Sequence, residues 1–134
     1  MNILIIDGQG GGIGRQLVAA IRESLPEAEI TAVGTNTAAT AAMLKAGAHH
    51  GATGENAVVV GCRRADVIIG PVGIVIADAL YGEVTPAMAL AVGQSAAKRI
   101  LIPVNHCDNV IVGAAALSMG AMIDAVVKEL TKND

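Results

Sequence analysis

Apolar residues in this chain fall into two alternating patterns. Short unbroken runs rich in β-branched residues occur at 2–6 ("NILII"), 29–34 ("EITAVG"), 66–70 ("DVIIG") and 99–104 ("RILIPV"). Between them lie longer stretches in which apolar positions recur every three or four residues. An unbroken apolar run marks a strand covered on both faces, and three-to-four spacing marks a helix with one buried side. The first helix is predicted from Ile13 through Leu17, Val18 and Ile21, closed by Pro26. Asn36 or Thr37 caps a second, with good helix formers ("AATAAMLKA") inside and Gly47 at its end.

Residues 48–52 ("AHHGA") read as a short edge strand. Thr53 then caps a helix from about Gly54 to Arg64 with Val58, Val59 and Cys62 inward. Residues 72–80 ("VGIVIADAL") read as a helical turn or short helix, although their Ile and Val content leaves a strand open. Thr85-Pro86 starts a helix running to about Lys98, a capping hydroxyl followed by proline in the first turn. Residues 109–113 ("NVIVG") are predicted to fold back on 99–104 through "NHCD". Four residues are too few for a parallel crossover, so this pair should be antiparallel. Ala114 to Lys132 is the last predicted helix. The alternation defines an α/β chain, Rossmann-like and doubly wound, with three αβα layers. Its sheet is mostly parallel in the order 3-2-1-4-5, with an antiparallel edge strand. Its length suits one domain spanning 1–134.

Composition narrows the partners. The chain is 53% hydrophobic and 16% charged, and Tyr81 is its only aromatic residue. Single-stranded nucleic acid would find no rings to stack on. A net charge of −3 without a basic run offers little to a duplex. Cys62 and Cys107 make neither a disulfide framework nor a zinc signature. A strand begins at once with no basic, apolar leader, so a cytoplasmic location is expected. No uncharged stretch is longer than Asn109 to Ile123, which falls short of the roughly 20 residues of a membrane helix. From Val67 to Ala97 only Asp78 and Glu83 are charged, more apolar surface than one domain buries easily. A homodimer or larger assembly is therefore expected, through the last helix or the helix at 86–97. Alternatively, the small residues at 113–122 simply pack tightly on the sheet.

Five glycines stand between Gly8 and Gly14, in "IDGQGGGIG". Their order is G-x-x-x-G-x-G at Gly8, Gly12 and Gly14, followed by an amphipathic helix. A loop of bare backbone between a strand and a helix N-terminus can bring N–H groups against a phosphate. Gly8, Gln9, Gly10, Gly11, Gly12, Ile13 and Gly14 are the candidate cradle for a small phosphate-bearing ligand, a nucleotide or dinucleotide. The alternative is a turn that uses glycine for packing alone. Asp7, at the end of the first strand, would repel phosphate. It is read as an acceptor for N–H groups of the glycine turn or as a metal ligand, with the first favoured.

The spacing resembles the cofactor fingerprint of short-chain dehydrogenases over residues 2–25. That family's catalytic Tyr-x-x-x-Lys is missing, because Thr85 stands four residues after Tyr81. Nor does an acidic residue end the second strand, where such a site would bind ribose hydroxyls. Thr35 and Asn36 stand there, which leaves an NADP-like dinucleotide or a mononucleotide. Over residues 2–113 the chain resembles a family of small single-domain bacterial proteins known only as a domain of unknown function. The motifs are "IDGQGGGIG", "GTN…AT..MLKAGA…GATGENAV", "DVIIGP.GI…GE.TP.MA" and "ILIP.N.C". That resemblance implies a Rossmann-like fold and no activity.

The remaining strand ends complete the list of candidates. Thr35 and Asn36, Gly70 and Pro71, the loop at 51–56 and the "NHCD" loop should share one edge of the sheet. His106, Cys107 and Asp108 are the candidates for nucleophilic or metal chemistry, against a plain polar turn with Cys107 half-buried. His49 and His50 could join His106 on a metal, but an edge strand with one ring in and one out is the simpler reading. Cys62 reads as core, Asp78 as a cap or ligand group, and Arg63 and Arg64 as a helix end. The function that best fits is a nucleotide-binding module. A small cofactor-using enzyme working through Asn105–Asp108, and a structural oligomer without ligand, are the alternatives.

Overall fold

The computed structural model describes residues 1–104, 108–114 and 116–132. The strands are β1 (Asn2–Asp7), β2 (Glu29–Gly34), β3 (His50–Thr53), β4 (Val67–Pro71) and β5 (Lys98–Ile102). The helices are α1 (Gly12–Ser24), α2 (Thr37–Lys45), α3 (Glu55–Arg64), α4 (Pro86–Gln94) and α5 (Met119–Thr131), with a 3₁₀ turn at Val72–Val75. The five strands form one sheet in the order β3-β2-β1-β4-β5, and all four pairings are parallel.

Strand alternation divides the core between the two faces. Ile3 and Ile5 of β1 join Leu17, Val18 and Ile21 of α1, Met43 of α2, and Ile123 and Val126 of α5. Leu4 and Ile6 turn the other way, onto Val58 and Cys62 of α3 and Met88 and Val92 of α4. β1 is thus covered on both sides, as its unbroken apolar run requires. Side-chain oxygens set the starts of α2 and α4: Asn36 accepts from the Ala39 N–H and Thr85 from the Met88 N–H.

Several boundaries differ from the sequence expectation: Thr53, expected to cap α3, ends β3 instead and α3 starts from Gly54 without a side-chain cap, and three further differences have a local reason. Residues 109–113 form no strand. Pro103 has no N–H to offer a partner, and the Val104 N–H turns back to the Ile102 carbonyl at 2.8 Å, so the ladder stops there. α4 ends at Gln94 because Ser95 takes an extended backbone, its hydroxyl bonded to the Cys62 carbonyl at 2.7 Å. α5 starts at Met119, five residues later than expected, where the Ser118 hydroxyl accepts the Ala121 N–H. Its apolar side is spent on the core through Ile123 and Val126. The exposed large apolar residues lie elsewhere, at Met1, Leu44 on α2, Tyr81, Leu90 on α4, and Val110, Ile111, Val112 and Leu117. No described helix is long and apolar enough to cross a membrane.

Candidate functional site at the end of β1

Parallel pairing brings the carboxyl ends of all five strands to one edge, and β1 lies where the order reverses. Asp7 closes β1 there and is buried. Its Oδ1 accepts the Gly8 N–H at 2.8 Å and its Oδ2 accepts the Gly14 N–H at 2.7 Å. Burial pushes the Asp7 carboxyl above its ordinary value, against the lowering effect of the Gly14, Gly8 and Ile13 N–H groups; the charge of Glu83 adds to the rise. Asp7 therefore braces the glycine loop from within and satisfies part of the N-terminus of α1.

Three of the five glycines have a packing reason. A Cβ on Gly8 would sit 2.6 Å from the Thr35 hydroxyl, and one on Gly14 would press into Met43. Gly11 has φ of 71° and backbone of Ala39 at 2.9 Å from where a Cβ would lie. Gly10 and Gly12 are different. A Cβ on either would meet nothing within 4 Å, and neither has positive φ. Their N–H groups have no hydrogen-bond acceptor among the described residues.

Across the crevice stands a group absent from the sequence-derived candidates. Glu83, on the loop joining the 3₁₀ turn to α4, reaches over the glycine loop. Its Oε1 accepts from the Gln9 N–H at 2.9 Å, the Thr35 hydroxyl at 2.6 Å and the Asn36 side-chain amide at 2.8 Å. Desolvation raises the Glu83 carboxyl, but the bonds from Thr35, Gln9 and Asn36 outweigh it and hold the group below its ordinary value. Asn36 also donates to the Gln9 carbonyl at 2.8 Å while capping α2. The loop bearing Glu83 is strained: Asp78, Leu80 and Tyr81 have φ of 67°, 56° and 56°. A left-handed backbone costs an L-residue about 1–2 kcal/mol. Buried Leu80 anchors the loop against this cost, together with the 2.7 Å bond from the Asp78 N–H to the Val84 carbonyl. Asp78 thus works through its backbone, with its side chain in solvent. Sequence did carry one signal for Glu83, one of only two charged residues between Val67 and Ala97.

Gln9, Gly10 and Gly12 are exposed at this edge with Thr35 and Asn36 half-buried beside them, whereas Gly8, Gly11, Ile13 and Gly14 are buried behind. Gly70 and Pro71, expected as lining residues, are buried in β4. Gly70 is bare because a Cβ there would run into the Ile6 carbonyl oxygen, a packing reason. Asn105, His106 and Cys107 lie outside the described residues, and Asp108 is exposed in a turn. Residues 51–56, expected as a loop, are the end of β3 and the start of α3 joined through Gly54, with the Thr53 and Thr40 hydroxyls 2.7 Å apart.

His49 and His50 sit at the amino end of the sheet, opposite the edge where β5 finishes. Both are exposed, not one in and one out: His49 Nδ1 accepts the Ile30 N–H, and His50 Nε2 lies 2.6 Å from Glu29. Burial pushes the Cys62 thiol up to about 11, the mark of an inert core cysteine. Among the described residues no three His, Cys, Asp or Glu side chains come together as a metal site. Two grooves, of about 770 and 420 Å³, flank α3, and the glycine loop lines neither.

A parallel α/β sheet with a glycine loop at its switch point places the molecule in the Rossmann-like class. More specifically, the chain belongs to the family described as Domain of unknown function (DUF3842), whose model matches residues 2–134. No curated protein matches it. Among solved structures it is similar to a dodecameric FMN-dependent UbiX-like decarboxylase from Escherichia coli O157:H7, at 16% identity and a TM-score of 0.45. The match covers 97% of this chain and 91% of that one. A likeness at that level bears on neither ligand nor reaction.

Proposed function

We propose that this protein is a nucleotide- or dinucleotide-binding module that holds a phosphate on the loop between β1 and α1. One observation carries the reading. Gly10 and Gly12 are bare where neither backbone conformation nor packing asks for glycine, a Cβ on either would meet open space, and their N–H groups have no acceptor among the described residues. Glycine in such positions costs the fold stability relative to alanine. Close approach of a ligand's phosphate to the backbone accounts for that cost. The remaining glycines are explained by the protein itself, so they support the reading only as scaffold.

The test is a thermal-shift scan of the purified chain with NAD, NADH, NADP, NADPH, FAD, FMN, ATP, GTP and CoA. A ligand at about one hundred times its Kd adds roughly 2.7 kcal/mol, several degrees in a chain of this size. The expected result is a hit in the native chain that disappears in Gly12→Val, a variant with room for its side chain. A folded protein that no compound stabilises overturns the reading.

A further inference from the structure

We infer that the Glu83 carboxylate accepts hydrogen bonds from the 2′,3′-hydroxyls of the ligand's ribose, so that the site takes a nucleotide whose ribose is free of 2′-phosphate. This rests on the nucleotide reading above. In parallel α/β dinucleotide sites an acidic side chain at the end of the second strand holds the ribose hydroxyls. Here β2 ends in Gly34, followed by Thr35 and Asn36, and has no carboxylate to offer. The fold supplies one from another element. Glu83 crosses from the loop before α4 and is pinned against those same two residues, 2.6 Å from the Thr35 hydroxyl and 2.8 Å from the Asn36 amide.

The division of labour between its two oxygens decides what it can bind. Oε1 takes all three donors, Gln9 included, while Oε2 has no partner among the described residues. A carboxylate is acceptor-only when ionised, and the three donors favour that form. The unspent oxygen matches a group that donates, as a vicinal diol does. A phosphate at the same place would find Gln9, Thr35 and Asn36 already committed and a negative charge in front of them. The NADP-like dinucleotide that Thr35 and Asn36 suggest in the sequence is therefore the ligand this arrangement selects against.

Isothermal titration of the full chain with NADH and NADPH, and with ATP and 2′-deoxy-ATP, tests the assignment through pairs that differ at the 2′ position. The expected result is at least tenfold tighter binding of the 2′-hydroxyl member of whichever pair binds. In Glu83→Gln the amide oxygen keeps the three donors and the outer atom becomes an uncharged donor. The NADH preference over NADPH should then fall at least tenfold. Equal binding within a pair, or preference for NADPH or the deoxynucleotide, overturns the inference in the native chain even if the variant does not fold. A NADH preference unchanged in folded Glu83→Gln overturns it too. Binding confined to FMN, whose hydroxyls lie on an open ribityl chain and not on a ribose ring, overturns the ribose assignment and leaves the phosphate cradle standing. No binding by any compound overturns both.

Discussion

Gly12 is the residue where ligand binding and stability pull in opposite directions. It opens α1, has room for a side chain and needs no positive φ. Gly12→Ala should therefore stabilise the ligand-free chain by about 0.4–1 kcal/mol, read from urea unfolding, while weakening nucleotide binding. A loss of stability on that change would show that the fold itself needs the glycine. Glu83 makes a prediction in pH. Its folded value lies below the ordinary 4.5, so the ionised group favours the native chain. That contribution is complete above the unfolded value and is lost as pH falls through the lower folded one. The stability difference between the native chain and Glu83→Gln should shrink below pH 4.5, and a difference constant across the acid range would contradict it. Asp7 acts with the opposite sign. Its raised value means that ionisation weighs against folding, a penalty absent well below 3.8 and complete only above the folded value.

At the scale of elements, strand spacing and helix caps were legible because short-range chemistry decides them. β2 falls on the predicted residues 29–34, and Asn36 and Thr85 cap as their types suggest. The glycines were legible as a loop but not in their separate reasons, which depend on neighbours far along the chain. Gly70 is the clearest case, since the atom it must avoid belongs to Ile6 on the adjacent strand. Gly70→Ala should cost about 1–3 kcal/mol by overpacking, with the backbone as the unyielding neighbour. Gly10→Ala, with room for its Cβ, should cost nothing and slightly stabilise the ligand-free chain in the same denaturation experiment. Equal effects at the two positions would mean that β1 and β4 do not approach as closely as described.

The whole molecule leaves a specific part of its apolar surface uncovered. Val110 is 84% exposed and Val112 94%, on a segment that joins no strand or helix. Exposed apolar residues in sequence neighbourhood mark interaction surfaces more often than lone ones do. We propose that copies of the chain meet there, rather than through α5, whose apolar side already faces the core. Light scattering on a sizing column should show an oligomer that Val110→Asp with Val112→Asp dissociates without loss of helical signal. A native chain that elutes as a monomer would refute the assembly.

By itself the sequence determined the alternation of strands and helices, the parallel sheet that follows from it, and the place of the glycine loop at the end of β1. These follow from periodicity, capping and the burial of unbroken apolar runs, each a relation among near neighbours. Only the tertiary structure decided which glycines are spent on packing, and that residues 109–113 do not extend the sheet. It also decided that a carboxylate from the loop before α4 stands at the end of β2. Glu83 and Thr35 are 48 positions apart, and no local rule relates them. Closure of the sheet in the order 3-2-1-4-5 and the buried anchor of Leu80 bring them within hydrogen-bond distance.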